Sequence, residues 1–186
     1  MSTPQDWAPY SDVEDAARIY LRDPALALDQ LRGVVDFRAI KTFIRSRGTT
    51  SESWGDALWQ EVVLTDGKRL VIWRATDEMS GEQERPTLEA SLRTILLTSC
   101  TDQILTTDYE VLGDGTRRLS EVTFRLYTQL INRSHQTSAT DAYFYCETFR
   151  YHKSADNGGL AQMERLMQFA RIMSKHIGAS GQGAVS

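Results

Sequence analysis

The stretch LWQEVVLTDGKRLVIWRA, residues 58–75, decides the fold of the first half of the chain. Two runs rich in β-branched and aromatic residues flank Asp66-Gly67, a dipeptide that strongly favours a tight hairpin turn. A two-residue turn pairs the runs residue by residue: Thr65 with Lys68, Val63 with Leu70, Glu61 with Ile72 and Trp59 with Arg74. Alternation collects the more apolar side chains on one face, which we expect to point into the core: Leu58, Val62, Leu64, Val71 and Trp73.

Two short helices are predicted upstream of this hairpin. SDVE, residues 11–14, has the spacing of a capping box with Ser11 as the N-cap. Pro24 suits the first position of a second helix, and Gly33 suits its C-terminal end. Residues 34–46 are ambiguous between helix and strand, but their apolar residues recur at i, i+3, i+6 and i+7, which favours a helix. Residues 47–56 are rich in turn formers and are predicted to be a loop.

Strands dominate the second half of the chain. Pro86 opens a predicted helix that ends near Cys100, because its leucines and isoleucine fall on one helical stripe. Three strands are predicted next, at residues 104–112, 121–132 and 140–152, with GDGTRR (113–118) as a turn between the first two. Residues 157–178 read as an amphipathic C-terminal helix.

This order of elements predicts an α+β protein. Helices and strands are segregated along the chain, so we expect a curved, mostly antiparallel sheet of about five strands. N-terminal helices, one inserted helix and the C-terminal helix would accompany it. The length suits a single domain over residues 1–178, in which residues 1–10 form a loose arm. Residues 179–186, after this domain, are predicted to form a disordered tail.

Composition narrows the class of protein. Of 186 residues, 41% are hydrophobic and 25% are charged, and the net charge is −4, which argues against nucleic acid as a partner. No apolar run approaches ~18 residues, so we expect no contact with a membrane through a spanning helix. The first residues lack the pattern of a secretory signal, and Cys100 and Cys146 form no CxxC motif. We therefore expect a cytoplasmic protein.

The aromatic strand TDAYFYCETFRYH, residues 140–152, has two interpretations. The simpler one is a sheet strand whose tyrosines pack against neighbouring strands. The functional one is a pocket wall lined by three tyrosines with two charged anchors: Tyr127, Tyr143, Tyr145, Arg125 and Glu147. Glu147 is the best candidate for a catalytic base, since flanking rings would raise its pKa. A cross-strand pair between Glu147 and Arg125 is the more ordinary role and is favoured.

Other catalytic chemistry finds little support in the sequence. The histidines, at positions 135, 152 and 176, have no metal-ligand spacing, and neither cysteine has a basic neighbour. No GxSxG motif occurs. We therefore predict no metal and no cofactor, and we lean against an enzyme.

Residues typical of protein interfaces lie in two places. Trp54 and Trp59 accompany the hairpin, and Met163 and Met167 lie on the C-terminal helix; tryptophan and methionine are common at binding surfaces. The favoured function is a non-enzymatic interaction module, an adaptor or chaperone-like protein that binds a protein partner or forms a homodimer. The alternatives are a small cofactor-independent isomerase or hydrolase, with Glu147 or Asp108 as base, and a small-molecule carrier.

Overall fold

The chain is an α+β protein, as predicted, but its strands form two sheets. The computed structural model describes residues 6–80, 85–132 and 143–177. Within these residues there are three α-helices and two antiparallel sheets, of four and three strands. The prediction of one sheet of about five strands is therefore wrong. The chain divides into two compact units, Met1–Ile95 and Leu96–Ser186. The predicted tail, residues 179–186, lies outside the described residues.

The first unit places two helices before a four-stranded meander. Its elements in chain order are α1 (Val13–Tyr20), α2 (Pro24–Arg32), a 3₁₀ turn (Phe37–Ala39), β1 (Thr42–Glu52), β2 (Gly55–Thr65), β3 (Arg69–Ser80) and β4 (Arg85–Leu96). The strands neighbour one another in the order β1-β2-β3-β4. Asp12, not the predicted Ser11, caps α1, because its carboxylate accepts bonds from the amides of Glu14 and Asp15. Pro24 begins α2 and Gly33 caps it, as predicted.

Both helices contact one face of this sheet. Trp73 of β3 donates a hydrogen bond of 2.7 Å to the Gln30 side chain of α2. Arg45 of β1 donates to the carbonyl oxygen of Val13 in α1. The part of the predicted loose arm that is described is also packed, since Trp7 is fully buried with its ring 5.9 Å from that of Phe43.

The predicted hairpin forms, with a register two residues away from the prediction. Thr65 lies opposite Leu70, not Lys68, so the turn spans the four residues 66–69. The Asp66 carboxylate accepts hydrogen bonds from the amides of Lys68 and Arg69, at 2.9 and 2.8 Å, and these bonds stabilise the longer turn. An even shift leaves every side chain on its predicted face. The five residues predicted to point inward are accordingly all buried.

Two segments predicted as helix and loop are strand. Residues 34–46 contain the 3₁₀ turn and the start of β1, where Phe43 and Ile44 are consecutive and both buried, on opposite faces of the sheet. The predicted loop 47–56 continues the β1–β2 ladder as far as the pair Glu52 and Gly55. The ladder of backbone hydrogen bonds continues through residues that also favour turns, such as Gly48 and Ser51.

The predicted helix at residues 86–100 is also wrong. β4 ends at Leu96, and a 3₁₀ turn, Leu97–Ser99, follows it. Leu88, Ala90 and Leu92 are half-buried and alternate with exposed neighbours. A spacing of four residues, as between Leu88 and Leu92, fits both a helical stripe and a period of two, so this spacing does not distinguish a helix from a strand.

The second unit is a three-stranded sheet with one helix. It comprises β5 (Cys100–Val111), β6 (Arg117–Asn132), β7 (Tyr143–Ser154) and α3 (Gly159–Ser174), with strand order β5-β6-β7. The predicted turn at 113–118 is confirmed between β5 and β6, where the amide of Leu112 bonds to the carbonyl oxygen of Thr116. The strand predicted at residues 121–132 is confirmed as part of β6, whose alternate residues Val122, Phe124 and Leu126 are fully buried.

The C-terminal helix covers the apolar face of this sheet. The ring of Phe169 in α3 meets that of Phe124 edge-on at 5.8 Å, and Phe124 stacks on Tyr151 of β7. The helix is preceded by Gly158, with φ of +95°, where a side chain would collide with that of Gln162.

Candidate functional site

The register of β6 and β7 separates the charged groups of the predicted pocket. Arg125 lies opposite Arg150 and Glu147 lies opposite Thr128. Opposite residues share a face and successive residues alternate, so Arg125 and Glu147 lie on opposite faces of the sheet. The predicted pair between them is therefore wrong. Tyr127, opposite Thr148, shares the face of Arg125.

The remaining residues of that pocket belong to β7. In the backbone pairing of β6 with β7, Tyr143 lies opposite Asn132 and Tyr145 lies opposite Leu130. Glu147 is half-buried on the face that α3 covers, and its carbonyl oxygen accepts a bond of 3.3 Å from the Thr128 hydroxyl. The role of Glu147 as a base stays a prediction, and Arg125 and Tyr127 cannot join it on one wall.

The four predicted interface residues differ in accessibility. Trp54 lies in the turn between β1 and β2 with 36% of its surface exposed. Trp59 is half-buried, with the guanidinium of Arg74 5.9 Å from its ring centre. Met167 is half-buried on α3, whereas Met163 is 1% exposed and belongs to the core of the second unit. Trp54 is thus the best exposed of the four.

A larger apolar surface lies on β5, which sequence reasoning did not single out. Leu105, Tyr109 and Val111 are 37%, 52% and 68% exposed; we call these three residues the β5 strip. They alternate along the strand, so they share the face that α3 packs on, where Leu105 lies opposite Phe124. The strip therefore continues the core face of the sheet beyond the part that the helix covers.

The width of a helix explains why this strand is uncovered. A helix is about 10 Å across and strands are about 4.8 Å apart, so one helix covers about two strands. α3 lies mainly over β6 and β7, and its smaller contact with β5 includes a hydrogen bond of 3.3 Å from the Gln103 side chain to the carbonyl oxygen of Ala170. β5 is also an edge strand, so one side of its backbone has no strand beside it within its sheet.

A groove of about 750 Å³ adjoins the end of the strip. Its apolar lining comes from the β5–β6 turn, β6 and α3: Leu112, Leu119, Leu160 and Met163. Charged residues line it as well: Glu110, Arg117, Arg118 and Asp156. Arg118 and Glu110 form an ion pair with each other. The groove is an apolar cleft with a charged rim, which is the common form of a ligand site.

The most unusual charged group lies in the first unit. Arg45 is fully buried, with its guanidinium 5.4 Å from the centre of the Phe43 ring. Burial lowers the pKa of Arg45 to about 9. Its Nε and Nη1 atoms have no hydrogen-bond partner among the described residues. Nothing in the sequence distinguished this arginine from those on the surface.

Over the residues that the structure describes, no cluster of three or more His, Cys, Asp and Glu side chains could hold a metal ion. None of the helices in that part of the chain combines the length and hydropathy needed to cross a membrane. A scan against protein-family models, and searches of curated proteins and of solved structures, found no match to this chain.

Proposed function

We propose that this chain is a cytoplasmic, non-enzymatic interaction module, of the adaptor or chaperone-like kind, that binds another protein through β5. The observation that carries the proposal is the β5 strip, an apolar surface on an edge strand. Contiguous apolar patches on soluble proteins commonly mark sites of association. An edge strand adds main-chain donors and acceptors that an extended segment of a partner can pair with.

The expected contact combines two contributions. Burying the exposed parts of Leu105, Tyr109 and Val111 contributes about 3 kcal/mol in total. Each backbone hydrogen bond that a partner strand makes to the edge adds about 1 kcal/mol net. Association also costs several kcal/mol because the partners lose rigid-body freedom, so burial of these three side chains alone does not give a stable complex. A partner strand that uses the backbone edge fits the surface better than one that touches only the strip.

The test is site-specific photo-cross-linking in the cells that make the protein. Tyr109 is replaced with p-benzoylphenylalanine, and the matched control carries the same residue at Thr148, an exposed position of β7. Thr148 lies on the opposite, polar face of the sheet. We expect a protein adduct from position 109, identified by mass spectrometry, and none from position 148. Equal labelling from both positions, or no adduct at 109, contradicts the proposal.

The groove supports a second candidate, a carrier of a small apolar molecule. Its volume of about 750 Å³ suits a ligand of drug size, and Arg117 on its rim would attract an acidic head group. Calorimetry with dodecanoate as the probe tests this function. Binding that weakens several-fold in Arg117→Gln supports it, and the absence of measurable heat at millimolar dodecanoate rejects it.

A further inference from the structure

We infer that the partner of β5 is a second copy of this chain, bound antiparallel with the two-fold axis passing between the two copies of Thr107. The inference rests on the proposed function and names its partner. Two three-stranded sheets would join into one of six strands, so that the edges at the two β5 strands disappear.

The symmetry of such a pair limits its registers. In an antiparallel pair around a two-fold axis perpendicular to the sheet, opposite residues lie equally far from the axis. They also share a face of the sheet. The axis, which lies between the two strands, must therefore be level with one residue of β5 and not with the midpoint between two successive residues. The register of β5 with β6 is irregular between Cys100 and Asp102 and regular from Asp102 to Asp108. The irregularity at Asp108 and Tyr109 skips Ser120 of β6, so β5 itself alternates without interruption as far as Val111.

The acidic residues of β5 discriminate among the registers whose axis lies at residues 103 to 109. They are Asp102, Asp108 and Glu110, and all three are exposed. Like charges directly opposite each other destabilise a strand pair. An axis at residue 105 sets Asp102 opposite Asp108 of the second copy, and an axis at 106 sets Asp102 opposite Glu110. An axis at 108 sets the two copies of Asp108 opposite each other. An axis at 109 sets Asp108 opposite Glu110. Axes at residues 103 and 104 also leave no carboxylate opposite another, but they place Tyr109 and Val111 opposite residues 95–99, outside β5. Among the registers that pair all three residues of the β5 strip within β5, only the axis at Thr107 leaves no carboxylate opposite another.

The same register matches the apolar residues. With the axis at Thr107, Leu105 lies opposite Tyr109 of the second copy, on both sides of the axis. Aromatic and aliphatic residues in opposite positions are a stabilising cross-strand pair. Val111 lies opposite Gln103, and the exposed Ile104 on the other face lies opposite Glu110, so the stem of that glutamate covers it. The two strips thus adjoin on one face of the joined sheet. This register therefore pairs apolar residues with each other and keeps the carboxylates of the two strands from lying directly opposite one another.

The register is tested by disulfide formation at the axis. Thr107→Cys is made together with Cys146→Ser, which removes the exposed native thiol; the buried Cys100 is retained. Opposite Cα atoms in an antiparallel pair are about 4.5–5.5 Å apart, within reach of a disulfide. Thr106→Cys and Asp108→Cys in the same background are the matched controls. Their symmetry mates are displaced by two residues, which puts the Cα atoms roughly 8 Å apart, beyond that reach.

Light scattering coupled to size exclusion is run in parallel on the unaltered protein. We expect a dimer, a covalent dimer at position 107 in at least tenfold excess over 106 and 108, and a dissociation constant raised tenfold or more by Tyr109→Lys. A monomer at 0.2 mM, or cross-linking that peaks at a control position, overturns the inference. A monomer whose position 109 photo-cross-links a different protein rejects the self-pairing and retains the proposed function, whereas no adduct at all rejects both.

Discussion

Arg22, in the connection between α1 and α2, binds the first sheet through its side chain, and the contribution of this contact to stability can be measured. The guanidinium of Arg22 donates two hydrogen bonds to the carboxylate of Asp77 in β3, at 2.7 and 2.8 Å. Its Nε donates to Asp23 at 2.7 Å. The carboxylate of Asp77 also accepts a bond of 3.1 Å from the amide of Leu58 in β2. Replacing Asp77 with alanine removes three of these four bonds.

We expect Asp77→Ala to lower the free energy of unfolding by about 2 kcal/mol at pH 7. Each bond to a charged group contributes about 1.5–3 kcal/mol when buried. The side chains of Arg22 and Asp77 are 33% and 23% exposed, so water replaces part of the loss, and the sum is discounted accordingly. Arg22 lowers the pKa of the Asp77 carboxyl by hydrogen bonding to its charged form. The contribution is therefore complete above the pKa of an unfolded aspartate, about 3.9, and is lost as the pH falls through the lower pKa of the folded state.

The assay is urea unfolding followed by tryptophan fluorescence, since all four tryptophans lie in the first unit: Trp7, Trp54, Trp59 and Trp73. A double-mutant cycle with Arg22→Ala isolates the pair from the other bonds of each residue. We expect a coupling energy of about 1 kcal/mol or more at pH 7 that declines below pH 4. A coupling energy near zero at pH 7, or one unchanged at pH 3, would refute this account of the pair formed by Arg22 and Asp77.

Three further predictions concern other parts of the chain. Arg45→Met should leave the first unit as stable or stabilise it by about 1 kcal/mol in the same urea assay, because a buried cation with unmade hydrogen bonds is removed; a loss above about 2 kcal/mol would contradict this. Gly158→Ala should destabilise the second unit by about 2 kcal/mol, measured by hydrogen exchange of α3 amides, since φ is +95° and the new methyl group meets Gln162. Gly113→Ala, with open space around it, is its control and should change little. Raising the salt concentration from about 0.05 to 0.5 M should tighten the proposed dimer several-fold, because carboxylates are exposed along β5; unchanged or weaker association by light scattering would argue against that interface.

Local signals predicted those elements whose chemistry lies within a few residues. Pro24 and Gly33 bound α2, Asp66-Gly67 marks the hairpin, and the alternation of β6 shows which side chains are buried. Even at the hairpin, the length of the turn depends on hydrogen bonds from the amides of Lys68 and Arg69 to one carboxylate. Such bonds are a property of the folded turn, and the dipeptide alone does not encode them.

The errors share a different cause. The spacing of Leu88 and Leu92 satisfies both a helix and a strand, and pairing with β3 decides between them. The separation of Arg125 from Glu147 depends on the register between β6 and β7, which a one-residue shift would reverse. The sequence of neither strand determines that register by itself. The division into two sheets likewise depends on which strands pair, and that is a tertiary property.

The sequence shows the alternation of apolar residues along β5, but it does not show that α3 leaves this strand uncovered. Along β5, Leu105, Thr107, Tyr109 and Val111 alternate with polar or charged residues from Thr106 to Glu110, the pattern of a strand with one buried face. The fold gives three strands one helix, and a helix is wide enough for two, so a face with the composition of a core is left in solvent. Polar residues at positions 105, 109 and 111 would suit contact with water better than Leu105, Tyr109 and Val111 do. Their absence is the physical reason to look for what covers the strip, and the antiparallel pair about Thr107 meets the need for both the backbone edge and the side chains.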